Sequence, residues 1–242
     1  MCTVSVIPLR DRDESPIGFR VVCNRDESRT RPPALTPRWR GVEGSHRRAL
    51  WPMDTEAGGT WIGVSDAGLA LSLLNLNLEP AIDVSGLRGI QSRGLIIPEL
   101  LREADAEHAV RRLAAMDLER FAPFRLLAVS GPDPVAAELR WDRSELTVAW
   151  HEQTVCLASS GLGDSRVLRR LDLFEELVLR PGPSPERQDE YHRHTWAERP
   201  EISVLMSRPE ARTVSITTIE VTPEGDPAMA YEAVGAAAAV SG

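Results

Sequence analysis

Apolar and polar residues alternate along the first stretch of the chain in the pattern of a β-hairpin. Residues 3–8 alternate, residues 18–23 are rich in β-forming residues, and a charged, turn-rich piece centred near Asp13 separates them. With the turn at that point, the numbers of paired residues sum to about 26, which places Cys2 opposite Asn24. The predicted neighbours of Cys2 are therefore Asn24, Arg25, Asp26 and Glu27.

The remaining pattern predicts a second hairpin, helices in two blocks and several short strands. The second hairpin has its arms at 59–64 and 69–75, and the Pro- and Arg-rich stretch 29–52 is expected to be a long surface loop. Amphipathic periodicity predicts helices at 92–102, 105–116, 164–180 and 185–196. Strands are predicted at 124–130, 135–141, 145–150 and 154–158 as an antiparallel meander, and then at 202–206 and 213–221 before an Ala-rich tail.

This order of elements favours one fold class. Helices grouped between runs of antiparallel strands indicate two sheets packed face to face, with helices covering both outer faces. We expect an α+β fold, a four-layer αββα sandwich. Because we find neither a linker-like segment nor an internal repeat, residues 1–242 are expected to form a single domain.

Charge and composition exclude several functions. A formal net charge of −8 argues against a nucleic-acid partner, since a protein surface that binds nucleic acid requires concentrated positive charge. The chain contains no lysine, which excludes Schiff-base, pyridoxal-phosphate and P-loop ATPase chemistry. No apolar run approaches ~18 residues and no export signal is recognisable, so we expect no stable membrane insertion. Three cysteines, an odd number, fit free thiols in a cytoplasmic protein.

Cys2 is the strongest candidate for chemistry. Removal of Met1 would leave a thiol and a free α-amine on the same residue. Because the α-amine has an ordinary pKa of about 7.7 to 8.0, it is able to accept the proton of the thiol while the thiolate attacks a carbonyl carbon. The other thiols, Cys23 and Cys156, lie in apolar strands and are expected to be core residues. His192 and His194 are expected to be exposed, and no metal site is predicted.

The sequence resembles the NRDE family, also called the transport and Golgi organisation protein 2 family. The resemblance covers roughly the first hundred residues. It rests on Met-Cys-Thr at 1–3, Cys-Asn-Arg-Asp-Glu at 23–27, Gly-Gly-Thr-Trp-Ile-Gly-Val at 58–64, Asn75 and Ser-Arg-Gly at 92–94. This family looks like a branch of the N-terminal nucleophile hydrolases, near the bile-salt hydrolases and penicillin V acylases, which cleave linear amides through an N-terminal cysteine.

The resemblance implies roles for individual residues. Cys2 is the implied nucleophile, Arg25 and Asp26 orient the centre, and the backbone amide of Asn75 contributes to the oxyanion hole. Ser159 stands in the segment where the acylases have a second oxyanion asparagine, and Arg212 is the candidate for their late active-site arginine. The residues expected to contact substrate are Asn24, Glu27, Trp61, Ser159 and Arg212.

Two functions remain open at this point. The first is an amidohydrolase that acts on a small-molecule amide or related acyl bond and requires no cofactor. The second, implied by the family, is a non-catalytic protein that binds and moves haem, lipid or acyl-CoA, with Cys2 or a histidine touching the haem iron. The sequence leaves the substrate and the oligomeric state undetermined.

Overall fold

The computed structural model describes residues 2–80, 82, 89–132, 134–152, 154–223 and 226–235. Its strands are β1 (Cys2–Arg10), β2 (Pro16–Ser28), β3 (Leu35–Gly41), β4 (Arg48–Met53), β5 (Ile62–Ser65), β6 (Ala70–Asn75), β7 (Phe124–Ser130), β8 (Val135–Trp141), β9 (Leu146–His151), β10 (Val155–Ala158), β11 (Ala211–Val221) and β12 (Ala228–Ala233). Its α-helices are α1 (Ile96–Leu100), α2 (Ala106–Ala114), α3 (Arg169–Phe174) and α4 (Pro185–Arg193).

The strands form two antiparallel sheets. The first has the order β10-β1-β2-β11-β12, and the second has the order β3-β4-β5-β6-β7-β8-β9. One apolar cluster, which includes Val4, Val21 and Leu127, fills the space between the sheets. A second cluster joins α1 and α2 to the second sheet, and a third packs α3 and α4 on the first sheet. The layers confirm the predicted αββα sandwich.

The first hairpin is confirmed, but its register differs from the prediction by one residue. Arg10 pairs with Pro16, where the paired numbers sum to 26, while Leu9 already pairs with Gly18. The irregularity between these pairs moves the rest of the ladder by one position, so Cys2 lies opposite Arg25 and Thr3 lies opposite Asn24. A bulge near the turn therefore decides which residue of the motif faces Cys2.

Strand alternation then divides the motif between two faces of the first sheet. Cys23 packs in the core between the sheets, and Arg25 and Glu27 continue on that face. Asn24 and Asp26 point the other way, where they contact residues of the helical layer formed by α3 and α4. Because the side-chain period of a strand is two, the bulge and the alternation together determine which face of the sheet each of residues 23–27 occupies.

Several predicted elements differ from the structure. The expected loop at 29–52 contains β3 and β4; β3 is an edge strand with little burial, so it lacks the apolar alternation that marks a half-buried strand. The expected strand at 202–206 is a 3₁₀ turn, Pro200–Ile202, followed by irregular backbone that is buried at Val204. The segment β10 leaves the meander and pairs with β1, and β12 was not predicted.

The helical predictions hold with shorter boundaries. Asp105 caps α2 as its sequence suggests, since its carboxylate accepts a hydrogen bond from the His108 backbone. The predicted helix at 164–180 is a 3₁₀ turn, then α3, then a π-helical turn at Glu175–Leu179. The Ala-rich tail at 236–242 lies outside the described residues. Among the helices that the structure describes, none has both the length and the apolar composition that crossing a membrane requires.

Candidate active site

A cavity of about 350 Å³ adjoins the core between the sheets, and Cys2 is part of its wall. Of the nine residues predicted for the site, five line it, and these come from β1, β2, β6 and the loop before β5. They are Cys2, Arg25, Glu27, Trp61 and Asn75. The structure thus brings together residues that are up to 73 positions apart in the sequence.

The Cys2 sulfur has a low proton affinity. Cys23 is its diagonal neighbour on the same face of the hairpin, and a hydrogen bond from the Cys23 thiol lowers the pKa of Cys2 to about 7. Burial opposes this effect, while the charge of Arg25 supports it. The same hydrogen bond raises the pKa of Cys23 well above its usual range. Of the two coupled thiols, Cys2 is therefore the one that loses its proton first.

The backbone nitrogen of Cys2 has a side-chain partner. It donates a hydrogen bond of 3.2 Å to Ser159 Oγ, and the Ser159 backbone N–H donates to the Cys2 carbonyl at 2.9 Å. Ser159 is fully buried and is not among the described residues that line the cavity. Its hydroxyl therefore holds the backbone nitrogen of Cys2 in place.

Arg25 is held by a carboxylate that the sequence did not point to. Its Nη2 lies 2.5 Å from Asp54 Oδ2, and Arg31 contacts both oxygens of the same carboxylate at 2.9 Å. Burial would raise the pKa of Asp54, but the hydrogen bonds from Arg31 and the Ala57 backbone and the charge of Arg25 lower it to about 2. The ionised Asp54 fixes two guanidinium groups on one side of the cavity.

Trp61 and Glu27 complete the surroundings of Arg25. The Arg25 guanidinium lies over the Trp61 ring, 4.2 Å from its centroid, and 3.4 Å from Glu27 Oε2. The guanidinium plane is thus stacked on one side and paired at its edge, which leaves it little rotational freedom. Trp61 contributes an apolar surface to a cavity that also contains charged side chains.

Asn75 and Arg93 are further residues of the cavity wall. Asn75 ends β6, and its side chain makes no hydrogen bond to any residue that the structure describes. Arg93 donates from Nη1 to the Pro123 carbonyl at 2.8 Å. Burial lowers the pKa of Arg93, and the charge of the Cys2 thiolate raises it, so the two groups are close enough to interact electrostatically.

Two loops meet behind Arg93. The Thr60 N–H donates to the Gly94 carbonyl at 3.0 Å. A Cβ on Gly59 would lie 2.4 Å from the Gly94 carbonyl carbon, so only glycine permits this approach. The Gly-Gly-Thr-Trp and Ser-Arg-Gly motifs are therefore parts of one wall, and their contact sets the position of Arg93.

Asn24 and Asp26 lie on the other face of the sheet and do not line the cavity. Asp26 accepts hydrogen bonds from Thr213 at 2.7 Å and from Arg170 at 3.4 Å, and burial raises its pKa against the charge of Arg170. Asn24 donates from Nδ2 to the carbonyls of His192 and Val204. Both side chains thus attach the strand that carries Arg25 to the outer helical layer.

His192 is buried, although the sequence pattern predicts exposure. Its Nδ1 lies 2.8 Å from Asn24 Oδ1 and its Nε2 lies 2.7 Å from Ser5 Oγ. Because Asn24 Nδ2 is occupied by two carbonyls, Oδ1 is the acceptor, so Nδ1 carries the proton and Nε2 accepts from Ser5. Burial, followed by the charges of Arg20 and other arginines, lowers the pKa of His192 to about 3.

Arg212 is separated from Cys2. It lies in β11 opposite Glu27 and lines a neighbouring pocket together with Arg25 and Glu27, where its Nη1 donates to the Gly235 carbonyl at 3.3 Å. Within the described ranges, no three His, Cys, Asp or Glu side chains form a group fit to hold a metal ion. Cys2 is the one thiol or imidazole among the described residues of the cavity wall.

The family model for Transport and Golgi organisation 2 matches residues 1–203. The chain belongs to this family. No curated protein sequence matches it. Among solved structures, it is similar to the Caenorhabditis elegans ortholog of N-acylethanolamine-hydrolyzing acid amidase, with a TM-score of 0.60 and 13% identity, over 89% of this chain and 92% of that chain.

Two further structures share the architecture. Penicillin V acylase from Agrobacterium tumefaciens has a TM-score of 0.51 and 14% identity, over 96% of this chain and 86% of that chain. The C2A mutant of conjugated bile acid hydrolase from Clostridium perfringens has a TM-score of 0.51 and 11% identity, over 96% of this chain and 92% of that chain. At these identities the likeness shows the fold, which is that of the N-terminal nucleophile hydrolases.

Three charged residues of the described cavity wall were not predicted as site residues. Arg93 lies within the Ser-Arg-Gly motif that carries the family resemblance, so that motif was the available signal. Arg31 and Asp54 follow β2 and β4 in segments without periodicity. Their meeting depends on contacts between distant segments, and no local sequence pattern indicates it.

Proposed function

We propose that this chain is an N-terminal-cysteine amidohydrolase that cleaves a linear amide or a related acyl bond. The observation that carries the proposal is the position of Cys2. Its thiol has a pKa of about 7 and lies in the wall of a cavity, and its backbone nitrogen is hydrogen-bonded to the buried Ser159 hydroxyl. A nucleophile and a candidate base thus occupy one residue that adjoins space for a substrate.

The proposed reaction begins with removal of Met1, which lies outside the described residues. The freed α-amine, held by Ser159, takes the proton of the thiol, and the Cys2 thiolate attacks the amide carbon. As the C–N bond breaks, the ammonium returns its proton to the leaving amine, and an acyl thioester remains on Cys2. Water then hydrolyses the thioester to release the acid and restore the thiol.

Two wall residues are suited to stabilise charge in this reaction. Asn75 is proposed to donate to the oxyanion that forms on the attacked carbonyl; the resemblance implies its backbone amide, and its side chain is a second candidate donor because it has no described partner and lines the cavity with Cys2. Arg25 is proposed to favour the thiolate by its positive charge, which already lowers the pKa of Cys2. Asp26 and Asn24 are proposed as positioning residues, since they hold the strand that carries Arg25.

The test combines mass spectrometry with an amide substrate panel. Intact mass is expected to show that Met1 is absent, and fluorogenic fatty-acyl and aryl-acyl amides of 7-amino-4-methylcoumarin are expected to be cleaved. Cys2→Ala is expected to abolish cleavage, whereas Cys156→Ala is expected to retain it, because Cys156 bonds Tyr191 away from the cavity. Retention of Met1, or full turnover by Cys2→Ala, would refute the proposal.

A carrier function is the second candidate. A neighbouring cavity of about 670 Å³ shares Asn75 and Arg93 with the first and has apolar residues such as Leu76, Leu78 and Leu162, which suits binding of an acyl chain without cleavage. For haem, Cys2 is the candidate ligand. A haem titration without any shift of the Soret band would remove the haem version, and a shift unchanged in Cys2→Ala would remove the role of Cys2.

For location we propose the cytoplasm. The three cysteines are all free thiols in the structure, which suits a reducing compartment. Fractionation of cells that express the chain, followed by detection beside compartment markers, tests this. Recovery in an oxidising compartment would contradict it.

A further inference from the structure

The arginines of the cavity differ in their partners. Arg25 and Arg31 are both paired with Asp54, and Glu27 lies within 3.7 Å of each. Arg93 has no carboxylate within ion-pair distance among the described residues, and its hydrogen-bond acceptor is the neutral Pro123 carbonyl. Arg25 and Arg31 therefore have compensating charges, whereas Arg93 has none among the residues that the structure describes.

This charge is partly withdrawn from water. Burial lowers the pKa of Arg93, which means that the guanidinium has lost solvation, and no carboxylate in the described part of the chain pairs with it. Binding of an anion to Arg93 would offset part of the solvation free energy that the guanidinium has lost. A carboxylate matches the paired N–H groups of a guanidinium in geometry as well as in charge. The Cys2 thiolate is an incomplete partner, because the proposed reaction consumes its charge when it attacks.

Arg93 also lies at a junction. It lines the cavity that contains Cys2 and the adjoining cavity of about 670 Å³, and Asn75 and Ala122 are shared in the same way. The adjoining cavity has apolar residues at Leu76, Leu78, Ile82 and Leu162, of which Ile82 and Leu162 are exposed. The same cavity also contains polar side chains, which include Asn77, Glu79 and Arg166. Apolar residues that adjoin an arginine suit a molecule with a charged group and an apolar chain.

We propose that the ligand of this site is an amphipathic amide with a free carboxylate. Its carboxylate pairs with Arg93, its apolar chain lies along the adjoining cavity, and its amide carbon is presented to Cys2. The last placement rests on the proposed hydrolase function, whereas the pairing with Arg93 and the position of the chain do not require turnover. The ligand class is thus assigned by Arg93, which is the one arginine without a carboxylate partner among the described residues of the cavity that contains Cys2, and by the apolar residues beside it.

The experiment measures binding where no cleavage occurs. Isothermal titration calorimetry of Cys2→Ala with N-lauroylglycine and with its neutral analogue N-lauroylglycinamide isolates the contribution of the carboxylate. We expect the acid to bind about tenfold or more tightly than the amide, as a charge-assisted hydrogen-bonded pair requires. Equal affinities, or no binding of either compound, would overturn the assignment without any further variant.

Variants in the same background identify the residue. Arg93→Gln is expected to abolish the preference for the acid, and Arg93→Lys is expected to retain part of it. Arg111→Gln is the matched control, since it removes the same charge from the exposed face of α2 and should leave the preference unchanged. A preference that survives Arg93→Gln, with thermal unfolding showing a folded protein, would also overturn the assignment.

The same compounds separate this inference from the hydrolase function. If N-lauroylglycine binds in an Arg93-dependent manner but the chain with Cys2 intact cleaves neither this compound nor the fluorogenic amides, then the hydrolase proposal fails and the ligand class stands. If the fluorogenic amides are cleaved but both lauroyl compounds bind equally, then the ligand class fails and the hydrolase proposal stands.

Discussion

Acid should destabilise this fold through a single buried histidine. His192 has a pKa of about 3 in the folded chain, against an ordinary value of 6.5. Below pH 6.5 the His192 imidazole is protonated in the unfolded chain but stays neutral in the folded chain, so the free energy of unfolding falls as the pH falls. Protonation of His192 Nε2 would also remove the acceptor of the Ser5 hydroxyl.

The size of the effect follows from these two pKa values. At pH 5 the unfolded imidazole is mostly protonated while the folded one is neutral, which lowers the free energy of unfolding by about 2 kcal/mol relative to pH 7. The loss continues toward the folded pKa of about 3. The effect is a large part of the stability of an ordinary domain, so it should be readily measured.

Urea denaturation followed by tryptophan fluorescence at pH 7 and pH 5 measures this difference. His192→Gln is expected to be less stable than the parent at pH 7, but to lose about 2 kcal/mol less on acidification. His46→Gln, which changes an exposed histidine, should decline as the parent does. Parallel declines of the parent and His192→Gln would refute the reasoning.

The remaining predictions concern the cavity. Cys23→Ala should raise the pKa of Cys2 and slow its alkylation by iodoacetamide at pH 7 about tenfold, whereas Cys23→Ser keeps a donor; identical pH profiles would contradict this. Asp54→Asn should cost about 2 kcal/mol in urea unfolding, because two guanidinium groups lose their counter-charge; a cost near zero would show that the network is not stabilising. Gly59→Ala should cost about 1–3 kcal/mol by thermal unfolding, whereas Gly41→Ala, with open space at its Cβ, should be near neutral; equal effects would rule out the close loop contact.

Local patterns were sufficient for much of the fold. Period-two alternation marked the start of the first hairpin, because half-buried strands present alternate residues to the core, and composition around a Ser-Asp-Ala-Gly turn marked the second hairpin. The capping carboxylate of Asp105 marked the start of α2, because the cap bonds a residue only three positions away. Failures fell on segments without a local signal: β3 is an exposed edge strand, and β10 looks like part of a meander until its partner β1 is known.

The candidate site likewise contains residues that a local sequence signal identifies and contacts that no such signal indicates. The sequence by itself identified Cys2 and the wall residues Arg25, Trp61 and Asn75, because their chemistry and motifs are visible in short segments. It also pointed to the family that the chain belongs to.

Only the tertiary structure decided how those residues are used. A bulge between two strand pairs sets Arg25, and not Asn24, opposite Cys2, and a shift of one position in a strand exchanges the two faces. The pairing of Asp54 with Arg25 and Arg31 and the uncompensated charge of Arg93 arise from contacts between segments distant in the chain. Such contacts depend on packing of the whole fold, so no local pattern of residues encodes them.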